Sequence, residues 1–218
     1  MGTEQVSTLT DLAAVILCGG KSSRLGLDKT QLIFEGRTFL ENVVHIVGKV
    51  TDRIVLVGDI DRTVHNLPDS VEWAIDEDPD AGPLEGIRVG LNRVEDRKYA
   101  FVTSCDVPLL KHELIHFLYR HLGDANGIVP VDGQRIYGMT AIYRTDIVEE
   151  IANRIAQGKL RVSEISQAVN AIEIAVDRIR EIDPNLDSMT NVNSKAEYQA
   201  LLKRFDQELP QEFLKKLG

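Results

Sequence analysis

Leu12-Ala13-Ala14-Val15-Ile16-Leu17 runs without a break into Cys18-Gly19-Gly20-Lys21-Ser22-Ser23-Arg24-Leu25-Gly26-Leu27-Asp28-Lys29. A short apolar run bounded by glycines reads as a buried β-strand, and the glycine-rich stretch after it reads as a loop at the strand's carboxyl end. Glycine lets the backbone curl with its N–H groups exposed, and Lys21, Arg24 and Lys29 bring positive charge to that curl. Such a loop suits a polyphosphate. Two familiar loops are excluded. The position that a Walker A loop reserves for its first glycine, counted back from Gly20-Lys21-Ser22, is Val15, and the glycines at 19, 20 and 26 do not space as Gly-x-Gly-x-x-Gly.

Outward from this loop, short apolar runs alternate with longer amphipathic stretches, the pattern of an α/β fold with a mainly parallel central sheet flanked by helices. After the strand at 12–17, the pattern predicts a helix from Thr38 to Lys49, a strand at Ile54–Val57 and a third ending near Ile75-Asp76. It then predicts a helix opening at Pro83, a strand at Tyr99–Thr103 and a helix from Leu109 to His121. Further strands are expected at Gly127–Val131, Thr140–Tyr143 and Ile172–Val176. Helices are expected at Asp146–Gln157, Val162–Val169 and Ser194–Phe205. The division expected is a polar extension at 1–11, one domain at 12–205 and a tail at 206–218.

The 218 residues carry a formal charge of −9, which argues against a dedicated nucleic-acid surface. Cys18 and Cys105 form no Cys-x-x-Cys pair, so neither zinc nor a disulfide framework is expected, and a reducing cytoplasm is the expected location. Apolar runs stay well below the length of a membrane span, and a polar N-terminus gives no sign of a signal peptide.

Nucleotidyl transfer asks for cations and N–H groups aimed at the phosphates, a metal ligand and an aligned acceptor. A nucleoside triphosphate carries roughly four negative charges, and more develops on the leaving pyrophosphate. Lys21, Arg24 and Lys29 fit the first demand. Asp106, in Ser104-Cys105-Asp106-Val107-Pro108 at a strand's carboxyl end, fits a Mg²⁺ ligand; its competing reading is the N-cap of the next helix. Asp76 and Asp78 fit either solvated loop acids or ligands. An ionised phosphate acceptor needs alignment more than a base, so the lack of a paired catalytic histidine is no obstacle. His112, His116 and His121 read as surface residues of one helix.

The loop is similar to the Leu-x-Gly-Gly-x-x-x-Arg-(Met/Leu)-Gly-x-x-Lys signature of nucleotidyltransferases. With Gly82-Pro83-Leu84-Glu85-Gly86, Cys105-Asp106-Val107-Pro108 and Asn191-Val192-Asn193 in the same order, residues 12–201 resemble a molybdenum cofactor guanylyltransferase. The resemblance implies a Rossmann-like three-layer nucleotidyltransferase fold and transfer of GMP from GTP, with Mg²⁺, to the terminal phosphate of molybdopterin carrying molybdenum. It implies nucleotide contacts at Leu17, Cys18, Gly19, Gly20, Lys21 and Lys29, with Asp76 in the nucleotide site and Gly82 in the segment that closes over it. Asp106 is implied as the Mg²⁺ ligand, Arg24 as part of the catalytic loop, Asn191 and Asn193 as residues near the pterin or metal side, and Arg161 as a residue of the pterin side. Cofactor-insertion proteins and molybdoenzyme chaperones are the implied protein partners. The Asn-Val-Asn element favours guanine over cytosine, since the similar cytidylyltransferases carry Asp-x-Asp there. Departures from the guanylyltransferases include the lack of a second glycine after Gly26, which leaves Leu27-Asp28-Lys29 one residue shorter than theirs, Gly58 in place of an asparagine, and Tyr137-Gly138-Met139 in place of a His-Pro segment. A transferase with another base or acceptor, and a non-catalytic nucleotide- or pterin-binding adaptor, are the alternatives.

Overall fold

The structure is a computed structural model that describes residues 8–19, 29–59, 66–76 and 78–210. Much of the expected extension at 1–11 and tail at 206–218 lies outside these residues, as do Gly20, Lys21 and Arg24. The strands are β1 (Leu12–Leu17), β2 (Ile33–Phe34), β3 (Arg37–Thr38), β4 (Ile54–Gly58) and β5 (Val71–Ile75), followed by β6 (Tyr99–Ser104), β7 (Gly127–Asp132), β8 (Arg135–Ile136), β9 (Ala141–Arg144) and β10 (Ile172–Ala175). The helices are α1 (Phe39–Val47), α2 (Pro83–Arg93), α3 (His112–Leu122), α4 (Val148–Ala156), α5 (Ile165–Ala168), α6 (Val176–Ile179) and α7 (Lys195–Arg204).

All six residues of β1 are buried, because both faces of the sheet are covered. Leu12, Ala14 and Ile16 join the core with α1, α3 and α6, while Ala13, Val15 and Leu17 join the one with α2, α4 and α5. Alternate side chains of one strand thus serve two cores, which is the three-layer arrangement. A third cluster packs the β2–β3 hairpin and Phe39 against Val192, Tyr198, Leu201 and Leu202, seating α7 at the side. Gly90 is required where α2 crosses β1: a Cβ there would lie 2.2 Å from Val15 Cγ1.

The main sheet runs β10-β7-β9-β6-β1-β4-β5, with β8 paired to β7. β1 is parallel to both β4 and β6, and β9 runs antiparallel between β6 and β7. The chain builds outward from β1 through β4 to β5, then returns to β1's other side with β6, so the order reverses between β1 and β6. Open α/β sheets bind ligands outside the carboxyl ends of strands at such a reversal. Register places Leu17 opposite Ser104 and Val57, and Gly58 opposite Ile75, so the four strand ends share one edge.

Local chemistry agrees with most predicted boundaries. Thr38 caps α1 in a capping box with Glu41, and Ser194 caps α7 through the Glu197 N–H. The α3 prediction is corrected: the helix starts at His112 rather than Leu109, with Lys111 extended as N-cap. His112 and His116 are partly buried rather than surface residues, and His112 Nδ1 and His116 Nε2 lack hydrogen-bond partners. Among the described residues, no helix is long and apolar enough to cross a membrane.

Candidate functional site

The site grows from the ends of β1 and β6. Cys18 N–H donates to Val57 O at 2.7 Å and Cys105 N–H to Leu17 O at 3.0 Å, so the strands stay laced together past their last residues. Gly19 leaves the sheet beside Gly58, where the lack of side chains on both lets the two backbones pass closely. Gly20, Lys21 and Arg24 lie outside the described residues; the chain resumes with Lys29 in a 3-10 turn, Lys29–Gln31.

Asp106 is the hub. Only 7 % exposed, it sits two residues past the end of β6. Its Oδ1 accepts hydrogen bonds from Ser104 Oγ at 2.5 Å and Asn191 Nδ2 at 2.8 Å, and its Oδ2 pairs with Lys29 Nζ at 3.1 Å. Lys29 Nζ also donates to Asn193 Oδ1. The Val192 N–H closes the joint by donating to Asp106 O at 2.9 Å. The competing N-cap reading fails, since Lys111 occupies that place and both Asp106 oxygens are engaged here. Asn193 is fixed in turn: its N–H donates to Glu197 Oε2 at 2.7 Å. That bond, stronger than the opposing burial, holds Glu197's carboxyl below its ordinary range.

Thus Lys29, Asp106, Asn191 and Asn193, far apart in sequence, form one contact group. Their chemistry fits a hard divalent cation in one respect: Asp106 Oδ2 and Asn193 Oδ1, two hard oxygens, converge on a single cationic nitrogen. Among the described residues, no group of three or more His, Cys, Asp or Glu side chains is placed to hold a metal. A cation here would therefore draw its remaining ligands from substrate phosphates and water, as Mg²⁺ does in phosphoryl-transfer sites.

Asp76 follows β5 at the same edge, its N–H donating to Gly58 O at 3.1 Å. Burial, then the nearby negative charges of Glu85, Asp59 and Asp78, raise its carboxyl above the ordinary value against a hydrogen bond from the Asp78 N–H. An acid so placed favours a partner that donates protons or carries positive charge. Gly82 opens α2 with φ +70°, a conformation few other residues adopt, and Pro83 comes next in the first turn. Arg161 stands apart: its side chain is 82 % exposed, with Glu164 Oε1 at 3.9 Å. Its neighbour Val162 packs against Gly138, which puts Arg161 beside the Tyr137–Met139 segment ahead of β9.

Three contributors escaped the sequence reading. Ser104 lies two residues before Asp106, and a hydroxyl that close in sequence to a carboxylate is a usable signal. Glu197 was visible as a first-turn acid of α7 after the Ser194 cap. Glu85, 5 % exposed and bonded twice by Arg88 at 2.7 and 2.6 Å, left only a common three-residue spacing.

A family model described as MobA-like NTP transferase domain matches residues 14–171. A probable molybdenum cofactor guanylyltransferase of Mycobacterium tuberculosis is 33% identical over 191 residues, covering 85% of this chain and 90% of that protein. One of Methanosarcina mazei is 29% identical over 202 residues, covering 87% and 89%. The crystal structure of molybdopterin-guanine dinucleotide biosynthesis protein A from Archaeoglobus fulgidus superposes with a TM-score of 0.75 at 21% identity, covering 89% of this chain and 98% of that one.

Proposed function

The chain belongs to the MobA-like NTP transferase family and is a nucleotidyltransferase, and on that premise we propose that it transfers GMP from GTP to the terminal phosphate of molybdopterin carrying molybdenum. A terminal phosphate oxygen of the acceptor bonds to the α-phosphorus of GTP as the bond to the β-phosphate bridging oxygen breaks. The products are molybdopterin guanine dinucleotide and pyrophosphate. The observation that carries the reading is the Lys29–Asp106–Asn191–Asn193 cluster at the strand-order reversal. Support for guanine and molybdopterin comes from the names of relatives that align over most of both chains.

The residues divide the work by charge. By its composition the glycine-rich stretch after Gly19 suits backbone N–H contacts to the triphosphate, and Lys29 offers it an ammonium. Asp106 and Asn193 would hold Mg²⁺, which when bound neutralises phosphate oxygens. Lys29, which bonds both of those oxygens here, would turn to the phosphates of the bound nucleotide. Asn191 keeps the Asp106 carboxylate in one orientation. Asp76 offers its carboxylate to the donor edge of the nucleotide, and Arg161 supplies positive charge on the acceptor side. A cytoplasmic setting agrees with two buried cysteines that form no disulfide.

Calorimetric titration with GTP, CTP, ATP and UTP in Mg²⁺ tests the base. Selective GTP binding is expected. Preference for CTP or UTP would move the chain to a sister transferase, and no binding at all would leave a protein that handles the pterin alone.

A further inference from the structure

The segment between α6 and α7, which presents Asn191 and Asn193, joins no strand of the sheet among the described residues, so other contacts must fix it. One anchor is apolar: Val192 is 1 % exposed, in the cluster with α7 and the β2–β3 hairpin. The other is ionic. Asp183, whose side chain is fully buried, accepts from Lys111 Nζ at 2.6 Å and from the Ser188 N–H at 2.8 Å. Ser188 Oγ accepts from the Lys111 N–H at 3.1 Å. Asp187 takes Lys111 Nζ at 3.4 Å and both Arg204 nitrogens, at 2.6 and 3.1 Å, from α7.

Buried ion pairs are weak evidence for stability, because apolar replacements of similar volume often fold as well. What this one fixes is a spacing. Lys111 lies in the same connection as Asp106, between β6 and α3. The two connections, 105–111 and 180–194, are therefore joined twice: by Asn191 and Val192 to Asp106, and by Asp183, Asp187 and Ser188 to Lys111. Removing the second joint leaves Asn191 and Asn193 placed by the packing of Val192, the Glu197 bond and their own contacts with Asp106 and Lys29.

We infer that Lys111 and Asp183 are positioning residues for nucleotidyl transfer, the pair setting where Asn191 and Asn193 stand relative to Asp106. This inference rests on Asp106 being the carboxylate of the active site. The residues that touch the reacting groups are mutated apart from those that place them.

The test compares wild type, Lys111→Gln, Lys111→Arg, Asp183→Asn, Asn191→Ala and the Lys111→Gln/Asn191→Ala double variant. Steady-state GTP-dependent transfer and calorimetric Mn²⁺ binding in the presence of GTP are measured well below each melting temperature. Lys111→Gln is expected to lower kcat and Mn²⁺ affinity about tenfold, the usual size for residues that orient ligands, with KM for GTP unchanged. Lys111→Arg recovers most of the loss, and Lys111→Gln costs less in the Asn191→Ala background than alone, the remainder acting through Asn193. Should Lys111→Gln not fold, Asp183→Asn carries the same comparison, since it keeps an acceptor for the Ser188 N–H. A harmful Asn191→Ala beside harmless Lys111→Gln and Asp183→Asn overturns the inference alone. So does a Lys111→Gln loss of equal size in both backgrounds. A harmless Asn191→Ala overturns the orienting role of Asn191 and the inference with it, whereas full turnover in Asp106→Asn, run alongside, overturns the assignment of the site.

Discussion

Lys29 Nζ lies 3.1 Å from Asp106 Oδ2, joining the end of the glycine loop to the end of β6 across 77 residues of sequence. The same ammonium bonds Asn193, so one cation gathers the end of the glycine loop, the end of β6 and the late asparagine. The phosphates of a bound nucleotide would compete for Lys29, and Asp106 and Asn193 would then have oxygens to offer a divalent cation, which would neutralise phosphate charge.

Lys29→Ala therefore removes a charge-assisted bond to phosphate, a bond type worth about 1.5–3 kcal/mol. GTP affinity is expected to fall about 10- to 100-fold in calorimetry. An unchanged Kd would remove Lys29 from the nucleotide site.

Asp106→Asn keeps the size of the side chain and an acceptor for Ser104, but loses the charge. Turnover is expected to fall at least about a hundredfold while GTP still binds, with the loss carried by kcat rather than KM. Full turnover would exclude Asp106 as metal ligand.

Gly90→Ala tests the packing of α2 on β1. In an open helix the change would stabilise by roughly 1 kcal/mol, but here the new methyl overlaps Val15 Cγ1, and Val15 is buried and stiff. Overpacking wins, and a net loss of about 1–3 kcal/mol is expected in urea unfolding. A gain in stability would show that α2 rides further from the sheet.

Asp183 makes a pH prediction. Burial opposes its ionisation, but the Lys111 ammonium and the Ser188 bonds outweigh it and hold the carboxyl below its ordinary value of 3.8. A depressed folded value means that its stabilisation is present above the unfolded pKa and is lost as pH falls through the folded one. Asp183→Asn should thus lower the melting temperature near neutral pH, and that deficit should shrink as pH drops below about 4. A deficit constant with pH would mean the carboxylate's charge contributes nothing.

Much of this was legible because it is local. Leu12 to Leu17 is a continuous apolar run ending in glycine, as a strand covered on both faces must be, and the acids at 76 and 106 stand at ends of predicted strands. Direction was not legible. Ala141–Arg144 is a short strand whose composition suits either orientation, and its antiparallel place between β6 and β7 is decided by partners. The start of α3 shows the same override: Leu109 and Leu110 look helical, yet Lys111 is held extended by Ser188 and Asp183 from far along the chain. For the candidate site, the asparagines were picked out by resemblance, whereas their bonds to Asp106 and Lys29 could be found only once the connections had been brought together.

The most direct test of the central claim traces the α-phosphate. Purified protein is given GTP labelled at that position, molybdopterin carrying molybdenum and Mg²⁺, with Asp106→Ala alongside. Label should move into a molybdopterin dinucleotide with release of one pyrophosphate per transfer, and Asp106→Ala should lose the transfer. Label that stays in GTP with wild-type protein, or moves equally well with Asp106→Ala, would contradict the account.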